Sequence, residues 1–316
     1  SSGSIKLLYS SPVTNKQIVL GKYLAMMLYG LLLMAILSIF VIYSAFAIKS
    51  FDFICVLAGL LGLYLLTCAY SAIGLFMSSL TSYQVVSAMG TLAILAALSL
   101  VRGVWQDMEI VRDITFWLSI NGRADEFVNG LICSEDVLYF IIVSVLFLTL
   151  TILRLQVIRQ KTNWLTAWGR YIGVFAIAIF LGYLSSRPQL MCFYDATRTK
   201  ARTLTPNSQE IISKLEGDLT VAKIKGGLTI TTYVNALDLN DLWTAMPAQV
   251  KQDQERFRQY VRFKPEIKMK YVYYYDSINN PSLAIRYPGL SLREQMKRIA
   301  ETVDFDTNKV KTPEAD

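Results

Sequence analysis

Thiol or metal chemistry in this chain would have to be built from Cys55, Cys68, Cys133 and Cys192, because its 316 residues include no histidine. Histidine is the usual general base near neutral pH and the commonest metal ligand, so both roles lose their ordinary donor. The four cysteines show no CxxC or other metal-ligand spacing. Cys55 and Cys68 lie in apolar runs, where a thiol serves as a small hydrophobe. Asp238, Asp241 and Asp253 are too scattered to claim a metal site, and a Ser-His or Cys-His nucleophile is excluded. Tyr271, Tyr273, Tyr274 and Tyr275 read as sheet core and sheet face ahead of a sugar- or peptide-binding platform. The chain is not expected to be an enzyme, nor to bind a metal or cofactor of its own.

The elements that must carry these residues divide into two solvents. Hydrophobic residues make up 53% of the chain and charged residues only 17%, well under the quarter that soluble domains carry. Residues 23–187 hold long charge-free runs, whereas residues 188–316 read like an ordinary soluble sequence. A crossing helix needs about 20 mostly apolar residues. Tyr23–Ile48, Phe53–Leu80, Val85–Val101, Val137–Leu153 and Tyr171–Ser186 are the candidate spans. The expected fold class is therefore an α-helical polytopic membrane bundle of about five spans, followed by an α/β domain. None of the five spans contains Asp, Glu, Lys or Arg, which speaks against a proton-coupled carrier or an intramembrane hydrolase. Small residues four apart (Ala58 and Gly62, Gly74 and Ser78, Ala93 and Ala97) permit close packing within one bundle.

Lys and Arg in the loops set the orientation. Lys6, Lys16 and Lys22 precede the first span, and Arg154, Arg159, Lys161 and Arg170 stand between the fourth and fifth with no acidic residue among them. Four crossings put both groups on one side, which is then cytoplasmic. The loop between the third and fourth spans mixes Asp107, Glu109, Arg112, Asp113, Arg123, Asp125, Glu126, Glu135 and Asp136, as expected outside. Trp164 and Trp168 suit an interfacial belt. A fifth crossing leaves residues 188–316 outside the cytoplasm. Cys133 and Cys192 then share the outer side, where a disulfide between them stays open. The net charge of +7 comes without a clustered basic, aromatic face, so no nucleic-acid partner is expected.

Residues 1–22 read SSGSIKLLYSSPVTNKQIVLGK. Ile5, Leu8 and Tyr9 fall on one face of a short helix, Pro12 ends it, and Thr14 can cap the next helix. The string GSIKLLYSSPVTNKQIVLGKYLA resembles the segment between the second and third membrane helices of ABC-2-type exporter permeases, with Gly3, Ser4, Leu7, Leu8, Ser11, Pro12, Gly21 and Lys22 at matching positions. That resemblance implies a coupling helix, Gly3, Ser4, Ile5, Leu7, Leu8, Tyr9 and Pro12, seated on a separate ATP-hydrolysing subunit. It covers about half the chain. It further implies two upstream helices and a second permease subunit completing a dimer. The chain begins Ser1-Ser2-Gly3 without an initiator methionine and ends at Asp316 after a helical pattern, so an internal fragment of a longer protein is expected.

Residues 110–132 offer two short apolar stretches. Ile114–Ile120 comes first, Asn121-Gly122 is a turn signal, and Phe127, Val128, Leu131 and Ile132 form the second. Ten-odd residues cannot span a bilayer, and they suit a re-entrant hairpin or an ordinary surface loop. The family resemblance implies the hairpin, as an outer gate carrying Phe116, Trp117, Phe127 and Leu131.

In the last segment, Thr205-Pro206 starts a helix, Leu228–Val234 reads as a strand, and Val221–Ile224 is a candidate partner across Gly226-Gly227. Residues 240–262 have a helical period interrupted at Pro247. Glu266–Asp276 is a second strand, and Ser291 with Glu294 forms a capping box before Leu292, Met296, Ile299 and Val303. Alternating strands and helices predict a largely parallel sheet. Asp195, Thr197, Thr203, Leu204, Pro206, Leu215, Leu219, Thr231 and Tyr233 resemble the auxiliary extracytoplasmic component of gliding-motility-type ABC transporters.

The expected organisation is a coupling segment at 1–22, a permease region at 23–154, a cytoplasmic linker at 155–170, an added span at 171–187 and an auxiliary domain at 188–316. The function these resemblances imply is a multi-pass inner-membrane permease subunit of an ATP-driven exporter, in contact with membrane lipid. ATP would be held by the partner subunit, since the chain has no GxxxxGK[ST] loop. The alternative is a membrane-anchored outer scaffold that transports nothing.

Overall fold

The structure, a computed structural model, describes residues 14–101, 109–159, 164–187, 190–219, 229–238, 240, 242–243, 246–264, 267–277, 281–303 and 306–311. They divide into two compact units, within Ser1–Arg102 with Thr115–Thr203 and within Gly103–Ile114 with Leu204–Asp316. The break after Thr203 lies later than the expected domain start at 188.

The first unit is built on long apolar helices. Among the described residues four helices are long and apolar enough to cross a membrane: α1 (Asn15–Ala47), α2 (Phe53–Leu80), α6 (Ser134–Arg159) and α7 (Trp164–Ser185). The helix α3 (Gln84–Leu100) is apolar but has 17 residues. Thr14 caps α1 as expected: Gln17 N–H donates to Thr14 Oγ1 at 3.4 Å, and Thr14 N–H donates to Gln17 Oε1 at 2.9 Å. Asp52 caps α2 by accepting from Cys55 N–H at 3.3 Å. Ala58, Gly62, Ala69 and Ala72 form a buried small-residue face on α2, so neighbouring elements approach its backbone closely. Helix α6 runs to Arg159 and α7 begins at Trp164. The expected linker at 155–170 is thus helical at both its ends, because the apolar spans continue without a breaker into the basic residues.

Between α3 and α6 lie α4 (Glu109–Leu118), α5 (Ile120–Val128) and a three-residue strand β1 (Leu131–Cys133). The expected turn at Asn121-Gly122 is not there. The chain bends at Ser119, whose backbone is extended, and Asn121-Gly122 sits in the first turn of α5. The reason is packing: Ile120 and Phe127, seven apart on one face, are both buried against Ala69, Ile73, Tyr139 and Phe140, which outweighs a local turn preference. Of the second apolar stretch, Leu131 and Ile132 lie in a strand. Gly130, at φ +80°, ends α5, and β1 pairs antiparallel with β2 (Phe193–Asp195) in the register Leu131↔Asp195, Ile132↔Tyr194, Cys133↔Phe193.

In the second unit, Thr205 starts α8 (Pro206–Leu219), accepting from Ser208 N–H at 3.4 Å. Strands β3 (Thr229–Asn235), β4 (Lys268–Tyr274) and β5 (Val310–Lys311) form a parallel sheet in that order. The β3–β4 connection carries α9 (Pro247–Arg256) and α10 (Arg258–Phe263), and the β4–β5 connection carries α11 (Pro281–Arg286) and α12 (Leu292–Val303). Val234, Leu237, Leu242, Leu283, Met296 and Ile299 form the core with Tyr271, Tyr273 and Tyr275 packed against it. The Ser291–Glu294 box starts α12, with Ser291 N–H donating to Glu294 Oε2 at 2.9 Å and Glu294 N–H donating to Ser291 Oγ at 3.4 Å. The candidate hairpin strand at Val221–Ile224 lies outside the described residues; the partner of β3 is β4.

Candidate functional site

The coupling residues Gly3, Ser4, Ile5, Leu7, Leu8, Tyr9 and Pro12 lie outside the described residues. The site that can be built from its atoms is the α4–α5 hairpin and what holds it. Helices of 10 and 9 residues are roughly 15 Å long at 1.5 Å per residue, half the hydrocarbon thickness. Neither can cross it; α5 and the end of α4 pack against the bundle.

Helix α5 buries one stripe, Ile120, Arg123 and Phe127, at the i, i+3, i+7 spacing of a single helical face. Phe127 fills a notch in α2: a Cβ placed on Gly62 would fall 2.4 Å from Phe127 Cβ. Only glycine allows that approach. Of the four gate residues expected from the sequence, Phe127 and Leu131 are fully buried, and Trp117 is half-buried with its ring 5.3 Å from that of Tyr139, edge to face. Phe116 lies in α4 one residue before Trp117. The Tyr139 hydroxyl donates to the Leu118 carbonyl at 2.7 Å and so ties α6 to the end of α4.

The sequence reading missed Arg123 in the middle of that buried stripe. Its Nη1 lies 2.6 Å from Glu135 Oε1 and 2.7 Å from Asp136 Oδ1, with the three side chains only 5%, 8% and 0% exposed. Both acids stand in the first turn of α6, where the helix dipole favours negative charge. The guanidinium also lies over the Tyr139 ring at 5.6 Å. Burial works to lower the Arg123 pKa, but the field of Glu135 and Asp136 outweighs it and holds the group above the ordinary arginine value. Breaking one partner of such a pair leaves a buried charge uncompensated, which costs about 3–5 kcal/mol. The signal was present in the sequence: an arginine at i+3 between Ile120 and Phe127 on an apolar face must find acids. It was hidden among the mixed charges between the third and fourth spans.

The added helix α7 closes the other side of the hairpin. A Cβ on Gly182 would fall 2.2 Å from Trp117 Cζ2, so the indole lies directly on the α7 backbone. The Ser186 hydroxyl donates to Glu135 Oε1 at 3.1 Å. Beyond α7 the chain returns as β2 and ends in a polar knot around Asp195, a buried carboxylate. It accepts from Thr197 N–H at 2.9 Å, Thr197 Oγ1 at 2.6 Å, Arg202 N–H at 2.9 Å and Thr203 Oγ1 at 3.1 Å. Burial would raise its pKa, but these hydrogen bonds outweigh that and hold the carboxyl below the ordinary aspartate range. Lys200 turns the chain here with a left-handed φ of 52° and donates from Nζ to the Asp195 carbonyl.

The knot is fastened to the bundle at two further points. Arg198 N–H donates to Asp52 Oδ2 at 2.6 Å, and Arg202 Nη2 donates to Asn129 Oδ1 at 2.7 Å. All four cysteines are thiols. In β1–β2 Cys133 stands opposite Phe193, and Ser134 N–H donates to the Cys192 carbonyl at 2.8 Å. Cys133 and Cys192 are therefore one step apart in register, on opposite faces of the ribbon, one buried and one exposed.

No metal-ligand cluster occurs among the described residues. The arrangement holds α5 and the end of α4 against α2, α6 and α7. No curated protein and no solved structure matches the chain. Residues 1–156 match the family model described as ABC-2 family transporter protein, and that match, with four apolar helices, supports a multi-pass membrane permease of the ABC-2 type.

Proposed function

We propose that the chain is a permease subunit of an ATP-driven exporter in the inner membrane, working with a separate ATPase subunit, a second permease subunit and an extracytoplasmic domain fused at residues 188–316. The observation that carries this reading is the family match over residues 1–156. The docked hairpin supports it, because two short helices wedged by Phe127 into Gly62 are a barrier that a tilt of α2 or α6 would move. In this reading the partner ATPase closes on ATP and pushes on residues 3–12. The bundle then tilts and the α4–α5 hairpin opens a path outward. ATP stays on the partner, and the lysine-rich start of α1 faces the cytoplasm.

Co-purification of an ATPase subunit with the full-length protein tests the partner. Charge substitutions at Ile5 or Leu8 are expected to abolish ATP hydrolysis stimulated by substrate while leaving membrane insertion intact. Normal stimulation in those variants refutes the coupling role.

A further inference from the structure

We propose that residues 190–203 are a latch on the hairpin, closed by the β1–β2 ribbon and the Asp195 knot, and that it must release for the gate to move. The proposal rests on the hairpin being the gate of a permease. Three observations lead to it. The ribbon joins the end of the hairpin to the strand after α7, and Ala196 N–H donates to the Gly130 carbonyl at 2.8 Å to extend it. Gly130 has no room for a side chain: a Cβ there would lie 2.8 Å from both Cys55 Sγ and Thr197 Cγ2. The knot then fixes β2 to Asp52 at the start of α2 and to Asn129 at the end of α5.

These contacts are of the kind that can open. Leu131, Cys133 and Asp195 are buried, but Phe193 and Tyr194 are exposed, and strands of three residues are too short to be stable alone. The hydrogen bonds converge on one carboxylate, so losing Asp195 loosens the whole segment at once. Meanwhile Trp117 rests on Gly182, so the hairpin cannot leave α6 without also parting from α7, and the Ser186–Glu135 bond ties α6 to the end of α7. The latch thus turns an added membrane helix into part of the gate.

The native Cys133 supplies the test. It is the last residue of β1 and fully buried, and in the full-length protein carrying C55S and C192S a membrane-impermeant maleimide reports its exposure, with the adduct located by peptide mass. Asp195→Ala is expected to raise the rate of Cys133 labelling about ten-fold or more, since it removes several hydrogen bonds to a charged acceptor. An unchanged rate overturns the latch.

A second variant approaches from the closed side. Phe193→Cys faces Cys133 across a pair without mutual backbone hydrogen bonds, where Cα atoms stand about 4.5 Å apart, within disulfide reach. Oxidation is expected to join them in the nucleotide-free complex, to yield several-fold less cross-link in the vanadate-trapped complex, and to block ATP hydrolysis until reductant is added. A complete cross-link that leaves ATP hydrolysis and its stimulation unchanged overturns the gating role while leaving the permease reading standing. Absence of any co-purifying ATPase removes the permease reading and the gating role with it, and the Asp195 labelling result still decides whether the strap is held as described.

Discussion

Phe127 Cβ occupies the space that a side chain on Gly62 would need, at 2.4 Å from the position of that absent Cβ. The atom met is the first of the phenylalanine side chain, fixed to the α5 backbone, so no rotamer change can clear it. Gly62→Ala is expected to push α5 off α2 and to cost about 1–3 kcal/mol or more, the range of overpacked cores. Gly182→Ala meets the far edge of the Trp117 ring, which can turn aside, and should cost less. Gly169→Ala meets nothing within 4 Å and should be silent. Thermal denaturation of the three variants in detergent checks the ranking.

Arg123 is expected to matter more than any surface charge on the hairpin. Arg123→Met leaves two acids at the start of α6 facing a buried apolar side chain, with an expected loss of about 3–5 kcal/mol. The variant R123M/D136L should recover part of that loss, because it removes one of the stranded charges as well. A double-mutant cycle on unfolding reads the coupling; additive losses would argue that the two side chains act independently.

The Asp195 knot should weaken in acid. Its carboxyl is held below the ordinary range in the folded chain, so the unfolded chain binds more protons as pH falls. The stabilisation is therefore fully present above the unfolded value of about 4 and is lost as pH drops through the lower, folded value. Asp195→Asn should lower stability by on the order of 2 kcal/mol at pH 7, and that deficit should shrink below pH 4. A deficit independent of pH would show that the charge contributes nothing.

In the second unit, the Tyr271 hydroxyl donates to Asp253 Oδ2 at 2.8 Å, and burial together with this carboxylate raises the phenol above its ordinary pKa. Tyr271→Phe is expected to cost about 1–2 kcal/mol by leaving Asp253 without that donor, with no effect on the packing of Tyr273 and Tyr275. Differential hydrogen exchange should locate the loss in α9 and β4. Protection lost instead in α12 would contradict this assignment.

Several local signals were legible in the sequence. Thr14 and the Ser291–Glu294 pair cap their helices through contacts three residues apart, and the β-branched and aromatic runs became β3 and β4. Long-range contacts were not legible in the same way. Nothing in Leu131–Cys133 or Phe193–Asp195 alone marks a strand, because three residues carry no period and their partner lies far along the chain. Asn121-Gly122 misled for the related reason that Ile120 and Phe127 gain more from a buried helical face than the dipeptide gains from a turn. Arg123 was visible as a residue, but its role required knowing which face of α5 is buried.

The β1–β2 ribbon also dictates an order of manufacture. Cys133 leaves the ribosome about sixty residues before its register partner Phe193, a wait of several seconds at roughly 5–20 residues per second. During that interval the membrane-inserted chain holds a hairpin with one edge unpaired, and only the arrival of α7 and the strand behind it completes the wall. Truncation after α6 would accordingly release a nascent product with an exposed, unfinished rim, a natural substrate for membrane quality-control proteases.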